Sequence, residues 1–328
     1  MKRVLSVALA LAAFAVVACG GDDEPTNGGQ PGVPANLVVV SGNGQKVATS
    51  SETVSPLAVK VTDGGGSGVR NIEVTWEVTS GGGSVSAAAS VTDTYGNAEV
   101  YLTSGSDEGE NTVTATVEGL TGSPATFTAN GIAPASISIQ AGNDQMGRTN
   151  NPLAEPLEVK VLGTDNLPLP GAVIGWDASQ GGGGAMVPAE SQTDNLGVAS
   201  SVLALGNFPV GYTIVATVKT STSLTTSFNA QATPPQTVEV TIQNNTFIAP
   251  GGGDDVTILL GDAVRWLNRD AGVHTATSTS EPEDGLSFDS GDIVQNGTFT
   301  FTATVRGRWV YHCLYHQQTM TGAQIFVE

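Results

Sequence analysis

Basic residues, histidine and sulfur are the scarce components of this 328-residue chain. Twelve Lys and Arg stand against 31 Asp and Glu, a formal net charge of −19. Nothing here supplies a phosphate-neutralising patch, so nucleic acid is excluded as a partner. The acidity favours solubility and basic partners instead. No histidine occurs between residues 34 and 235, where the only sulfur is Met146 and Met186. That absence removes histidine-based triads, zinc–histidine sites and most general-base chemistry from this stretch. The glycine runs at 64–66, 81–83, 181–184 and 251–253 lack the Gly-Lys-Ser/Thr ending of a phosphate loop and read as hairpin loops. No long amphipathic helical pattern is present.

The first residues read as a targeting segment. Lys2 and Arg3 precede an apolar run, Val4 to Val17, too short for an ordinary membrane span. Val16-Val17-Ala18-Cys19 resembles a bacterial lipobox, which implies removal of the signal (1–19) at a lipidated Cys19. Residues 20–33 then form a polar tether with a reach of roughly 20 Å. The expected location is the bacterial cell envelope, held by the lipid anchor to the membrane. Gly20 after Cys19 points, by the same resemblance, to the outer membrane or the surface. Without Lys2 and Arg3 the charge becomes 10 − 31 = −21. With Cys19 lipidated, Cys313 has no disulfide partner in an oxidising compartment, and metal ligation is one explanation.

Glycine is abundant, charge is sparse at 13%, and Thr, Ser and Val fill the space between turns. That composition belongs to β-sandwiches. Residues 34–132 and 133–234 are two copies of one unit, about 100 residues apart. Pro56-Leu57 recurs as Pro156-Leu157, Val59-Lys60-Val61 as Val159-Lys160-Val161, and Trp76 as Trp176. After a one-residue slip, Thr92-Asp93 recurs as Thr193-Asp194. Ile72, Val74 and Trp76 alternate with Glu73 and Thr75, as a half-buried strand requires. Trp76 and Trp176 are expected in the core. The units resemble the bacterial immunoglobulin-like repeats of invasin- and intimin-type adhesins, through this pattern, the tryptophan and the Thr-Asp-x-x-Gly turn. The resemblance implies a spacer stalk, or alternatively adhesion to a surface ligand. Pro134 and Pro234-Pro235 close the two junctions with little hinge freedom.

The repeat stops at the last domain, 235–328, which holds all three histidines. Cys313, His316, Met320 and the upstream His274 supply one thiolate, two imidazoles and one thioether, the ligand set of a blue-copper site. A buried inert cysteine, a core methionine or a zinc Cys-x-x-His are the competing readings. Zinc rarely takes thioether, and a structural zinc site wants four firm ligands. His312 falls on the strand face opposite Cys313, so it is left out of the set and expected in solvent.

Trp266-Leu-Asn268, Gly272-Val-His274, Phe288-Asp-Ser-Gly291, Gly307-x-Trp-x-Tyr311, Cys313-x-x-His316 and Met320-Thr-Gly322 resemble the cupredoxins of plastocyanin and amicyanin type. The resemblance implies a Greek-key β-sandwich holding one type 1 copper. Three residues separate His316 from Met320, where amicyanin-like members have two and plastocyanin-like members four. The spacing matches neither type, so the axial position stays open between Met320, the expected ligand, and Gln317 or Gln318 as competitors. No cysteine or histidine beyond His312 remains for further coppers, so no enzyme is expected. The expected function is single-electron transfer for an unidentified redox partner protein, with His316, Leu314 and Tyr315 as the contact surface. Copper sequestration or delivery by a surface lipoprotein is the alternative.

Overall fold

A computed structural model describes residues 32–180 and 182–328. Cys19 and most of the tether lie outside the described residues. Among those described, the regular structure is entirely β, and the expected all-β chain of sandwiches holds.

The first repeat packs a three-stranded sheet (Pro34–Ser41, Leu57–Asp63, Asn97–Val100) against a five-stranded one. The latter runs Gln45–Ala48, Ala125–Ile132, Gly109–Thr116, Glu73–Ser80, Ala89–Val91. The second repeat follows the same order, with Pro134–Ala141 beside Leu157–Gly163 and Gln145–Arg148 beside Thr225–Thr233, and adds Ala185–Val187 at the edge of the smaller sheet. Alternation explains which faces close together: Val74 and Trp76 are buried while Glu73 and Thr75 are exposed. Both repeat tryptophans are core residues. Trp76 packs on Phe127 at 5.8 Å and Trp176 on Phe228 at 5.9 Å. Each indole N–H donates to a serine, Ser90 or Ser191, so neither polar edge is stranded.

The shared Thr-Asp-x-x-Gly turn has a local cause. Thr92 Oγ1 accepts from Ile72 N–H and donates to Val69 C=O, and Asp93 accepts from the N–H groups of Tyr95 and Asn97. Gly96 adopts φ +84°, and a Cβ there would lie 2.5 Å from Val61 O. Only glycine meets both demands.

The C-terminal domain is a sandwich of two four-stranded sheets. One runs Phe247–Ile248, Thr237–Ile242, Ala263–Asn268, Thr298–Thr302. The other runs Val256–Ile258, Ala323–Val327, Gly307–His312, Thr277–Ser280. Trp266 is fully buried between them, edge-on to Tyr311 at 5.2 Å and stacked near Phe299 at 5.7 Å. This aromatic wedge fixes the separation of the sheets and thereby the strand ends that carry the site.

Candidate metal centre

His274 follows the strand Ala263–Asn268, and the loop between them is stapled by Asn268. Its Nδ2 donates to the carbonyls of Gly272 (2.7 Å) and Ile293 (2.8 Å), while its Oδ1 accepts from Asp270 N–H (2.8 Å). Asp270 in turn accepts from the N–H groups of Asn244 and Asn245, which hold positive φ. His274 exchanges backbone hydrogen bonds with Ile293 and is fully buried.

Cys313 ends the alternation of buried Trp309 and Tyr311 and is itself fully buried. The loop after it is short and self-bonded. His316 N–H donates to Cys313 O (3.2 Å), Met320 N–H to His316 O (2.8 Å), and Cys313 N–H to Met320 O (2.9 Å). The last of these joins the start and end of the loop, the other two tie His316 to each, and His316 lies half-buried between them.

Three ligand atoms converge. His274 Nδ1 lies 3.7 Å from Cys313 Sγ, and His316 Nδ1 lies 3.5 Å from it. The imidazole rings are 4.7 Å apart, centre to centre. All three atoms fall within 4.8 Å of one another. Metal–nitrogen and metal–sulfur bonds of about 2.0–2.3 Å, set about 120° apart, separate ligand atoms by about 3.6 Å. The observed sulfur–nitrogen separations fit a trigonal centre. Met320 is 2% exposed and shares a core cluster with Cys313, whereas Gln317 and Gln318 are exposed. Leu314 and Tyr315 are 44% and 58% exposed beside the loop, and Tyr315 O–H donates to Asp292 at 2.6 Å.

Two neighbours escape a sequence reading. Thr275 donates its N–H to Cys313 Sγ at 3.3 Å and accepts Leu314 N–H on Oγ1 at 2.9 Å. It therefore clamps both sides of the cysteine from a position 38 residues away. Asp270 Oδ2 lies 3.1 Å from His274 Nε2. Burial pushes the His274 pKa down, the charge of His316 adds to this, and Asp270 opposes it. The net effect favours neutral imidazole, the form that ligates. The acid four residues before His274 is the one visible signal. Thr275 leaves none beyond adjacency.

One expectation requires correction. His312 is half-buried, and its Nε2 is shielded from solvent without a hydrogen-bond partner. Alternation correctly takes it off the Cys313 face but does not predict what covers the outer side of the strand. Opposite it stands Thr277 of the neighbouring strand.

The family described as bacterial Ig-like domain (group 1) matches residues 36–130. No curated protein matches the chain. Among solved structures, the copper(I) form of a methionine-to-glutamine mutant of amicyanin is similar at 21% identity, covering 28% of this chain and 82% of that one, with a TM-score of 0.25. A proline-to-alanine mutant of amicyanin in its oxidised state has the same identity, coverages and TM-score. The D0-D1 domain of intimin is similar at 15% identity, covering 61% of this chain and 98% of that one, with a TM-score of 0.25. The chain is thus similar to a bacterial Ig-like family in its first repeat and carries a candidate metal centre in its last domain.

Proposed function

We propose that this is a lipid-anchored copper protein of the type 1, cupredoxin class that carries single electrons between redox partners, with the two repeats as its stalk. One observation carries the reading: Cys313 Sγ and the Nδ1 atoms of His274 and His316 converge at trigonal spacing, with the thiol fully buried and His316 half-exposed. Copper held there supplies a one-electron couple whose two oxidation states tolerate the same trigonal ligand set. The chain's own residues do the rest. Cys313 would bring thiolate, His274 would hold the buried side through its bonds to Ile293, and the buried Met320 would be the fourth ligand, with Thr275 holding the sulfur in place. His316 is the one ligand with access to the surface. Cys19 would carry the lipid that ties the stalk to the envelope.

If Met320 joins His274, Cys313 and His316 on the metal, no coordination position would be left for a substrate, which argues against catalysis there. The contact face supports a carrier. No Asp, Glu, Lys or Arg occurs from Tyr311 to Phe326, although the domain holds 11 acids elsewhere. The loop around His316 thus carries no charge of its own, with Asp292, bonded to Tyr315 O–H, as the acid at its edge; such a face desolvates at lower cost than a charged one and releases its partner quickly. Acids outside it, such as Glu281, Glu283 and Asp284, steer a basic partner and raise the on-rate.

Cyclic voltammetry of the copper-loaded full chain tests this. A reversible one-electron wave is expected, and Met320→Gln should lower its potential because an amide oxygen favours Cu(II) more than a thioether does. A copper that binds but does not cycle would leave storage or delivery as the better account.

A further inference from the structure

Each sandwich meets its neighbours through opposite ends. In the second repeat, the loop that follows the strand Leu157–Gly163 faces the first repeat. Lys46 Nζ reaches Asp165 Oδ2 at 2.7 Å and Pro168 O at 3.0 Å, and Ala48 N–H donates to Pro170 O at 2.9 Å. The segment before the same strand faces the C-terminal domain instead. Seven strand residues at about 3.3 Å each set the two faces about 20 Å apart.

The second face is closed by a buried ion pair. Arg148 Nε donates to Asp262 Oδ1 at 2.7 Å and Arg148 Nη2 to Asp262 Oδ2 at 2.9 Å. Arg148 is 9% exposed and Asp262 2%. Asp262 also accepts the N–H groups of Gln236 (2.6 Å) and Leu259 (3.1 Å), and Arg148 Nη1 donates to Thr233 Oγ1. Arg306 Nη2 adds a bond to Pro152 O at 2.7 Å. The surfaces touch closely: a Cβ on Gly261 would lie 2.4 Å from Asn151 Nδ2. The connections are short as well. One residue, Ala133, separates Ala125–Ile132 from Pro134–Ala141, and Pro234-Pro235-Gln236 is all that lies between Thr225–Thr233 and Thr237–Ile242.

The two copies differ where it matters. Position 48 is Ala in the first repeat, fully buried in the core cluster of the second repeat. The same position in the second repeat is Arg148. A guanidinium on a buried face is unfavourable unless its charge is met, and a fully hydrogen-bonded pair of this kind serves register more than stability. Arg at 148 is therefore matched to Asp262. Within the C-terminal domain, Asp262 directly precedes Ala263–Asn268, and His274 follows that strand's far end. Glu328 N–H bonds Ile258 O at the Asp262 end, while Cys313 follows the far end of Gly307–His312.

We propose that residues 32–328 form one stiff rod in which the Arg148–Asp262 pair fixes the heading of the C-terminal domain, so that the 313–320 loop is presented at the tip, away from the repeats. This does not depend on whether the loop binds a metal. The surface offered to any partner is then the tip, held at a set distance from the start of the first repeat.

Solution X-ray scattering and amide hydrogen exchange on the full chain test the proposal, for wild type, Arg148→Ala, Asp262→Ala and the double variant. Wild type should scatter as a single extended particle. Arg148→Ala should broaden the distribution of dimensions and speed exchange at the Gln236 and Leu259 amides at least ten-fold, with the near-ultraviolet signal of Trp266 and Trp309 unchanged. The double variant should be no looser than either single one. If Arg148→Ala disturbs the tryptophan signal, Arg148→Met with Asp262→Asn removes both charges together, keeps an acceptor for the Gln236 and Leu259 amides, and should restore the fold with a less defined heading. Wild-type scattering that requires freely hinged domains overturns the proposal. So does a folded Arg148→Ala chain with wild-type scattering and exchange.

Discussion

At the scale of single residues, the site depends on groups that are not ligands. Thr275 is 2% exposed and gives Leu314 N–H its acceptor while its own N–H points at the thiol sulfur. Thr275→Val keeps the shape and the backbone donor but strands Leu314 N–H, which costs about 1–3 kcal/mol. Urea unfolding of the metal-free chain should show that loss in the C-terminal domain. His312 offers the converse test. Its Nε2 is hidden without a partner, so His312→Phe removes a polar atom that gains nothing from burial. We expect unchanged or higher stability and unchanged metal binding; loss of binding would make His312 a ligand. The rare residues His274, Cys313 and His316 were legible in the sequence because so few residues of their type exist. Thr275 and Asp270 were not, because the role of Thr275 arises only when it folds against Cys313-Leu314, and that of Asp270 only when it meets Asn244-Asn245. His312 was half-legible: alternation gives its face, not its cover.

At the scale of elements, alternation reads well wherever one sheet face is buried. Glu73–Ser80 and Gly109–Thr116 are such strands, as is the Thr298–Thr302 run with Phe299 and Phe301 turned toward the core. The parallel pairing of Thr237–Ile242 with Ala263–Asn268, and of Val256–Ile258 with Ala323–Val327, leaves no mark in the pattern and is set by the tertiary fold. The 313–320 loop behaves as an element in its own right, since backbone bonds bind Cys313, His316 and Met320 to one another. Leu314 projects from it, 44% exposed. Leu314→Glu places a charge on the neutral face without touching those bonds. Stopped-flow electron exchange with a small redox protein should slow several-fold while the copper spectrum stays as in wild type. Unchanged exchange would move the contact surface elsewhere.

At the scale of the whole molecule, the junction between the repeats carries a pH dependence. Glu108 accepts from Thr164 Oγ1 and Ala133 N–H across the junction, and the Thr164 bond foremost holds its pKa below the ordinary 4.5. Asp165 is held below 3.8, first by its bond to Lys46 and next by Leu167 N–H. Both carboxyls are therefore more acidic folded than unfolded. Their contribution is complete above about pH 4.5, the ordinary carboxylate range, and is lost as pH falls through the lowered values. Scattering at a series of pH values should show this junction loosening only in acid below that range, and Glu108→Gln should remove part of the dependence. A junction that loosens near neutrality would point to other groups.

The 313–320 loop and the Thr275 clamp bear on the central proposal, that His274, Cys313 and His316 hold a type 1 copper. Copper(II) titration of the purified full chain, followed by visible absorption, tests it most directly. One equivalent should bind and give an intense blue band from thiolate-to-copper charge transfer, absent in Cys313→Ser and disrupted in His274→Ala. A folded chain that binds copper(II) without that band, or shows it undiminished in Cys313→Ser, would contradict the account.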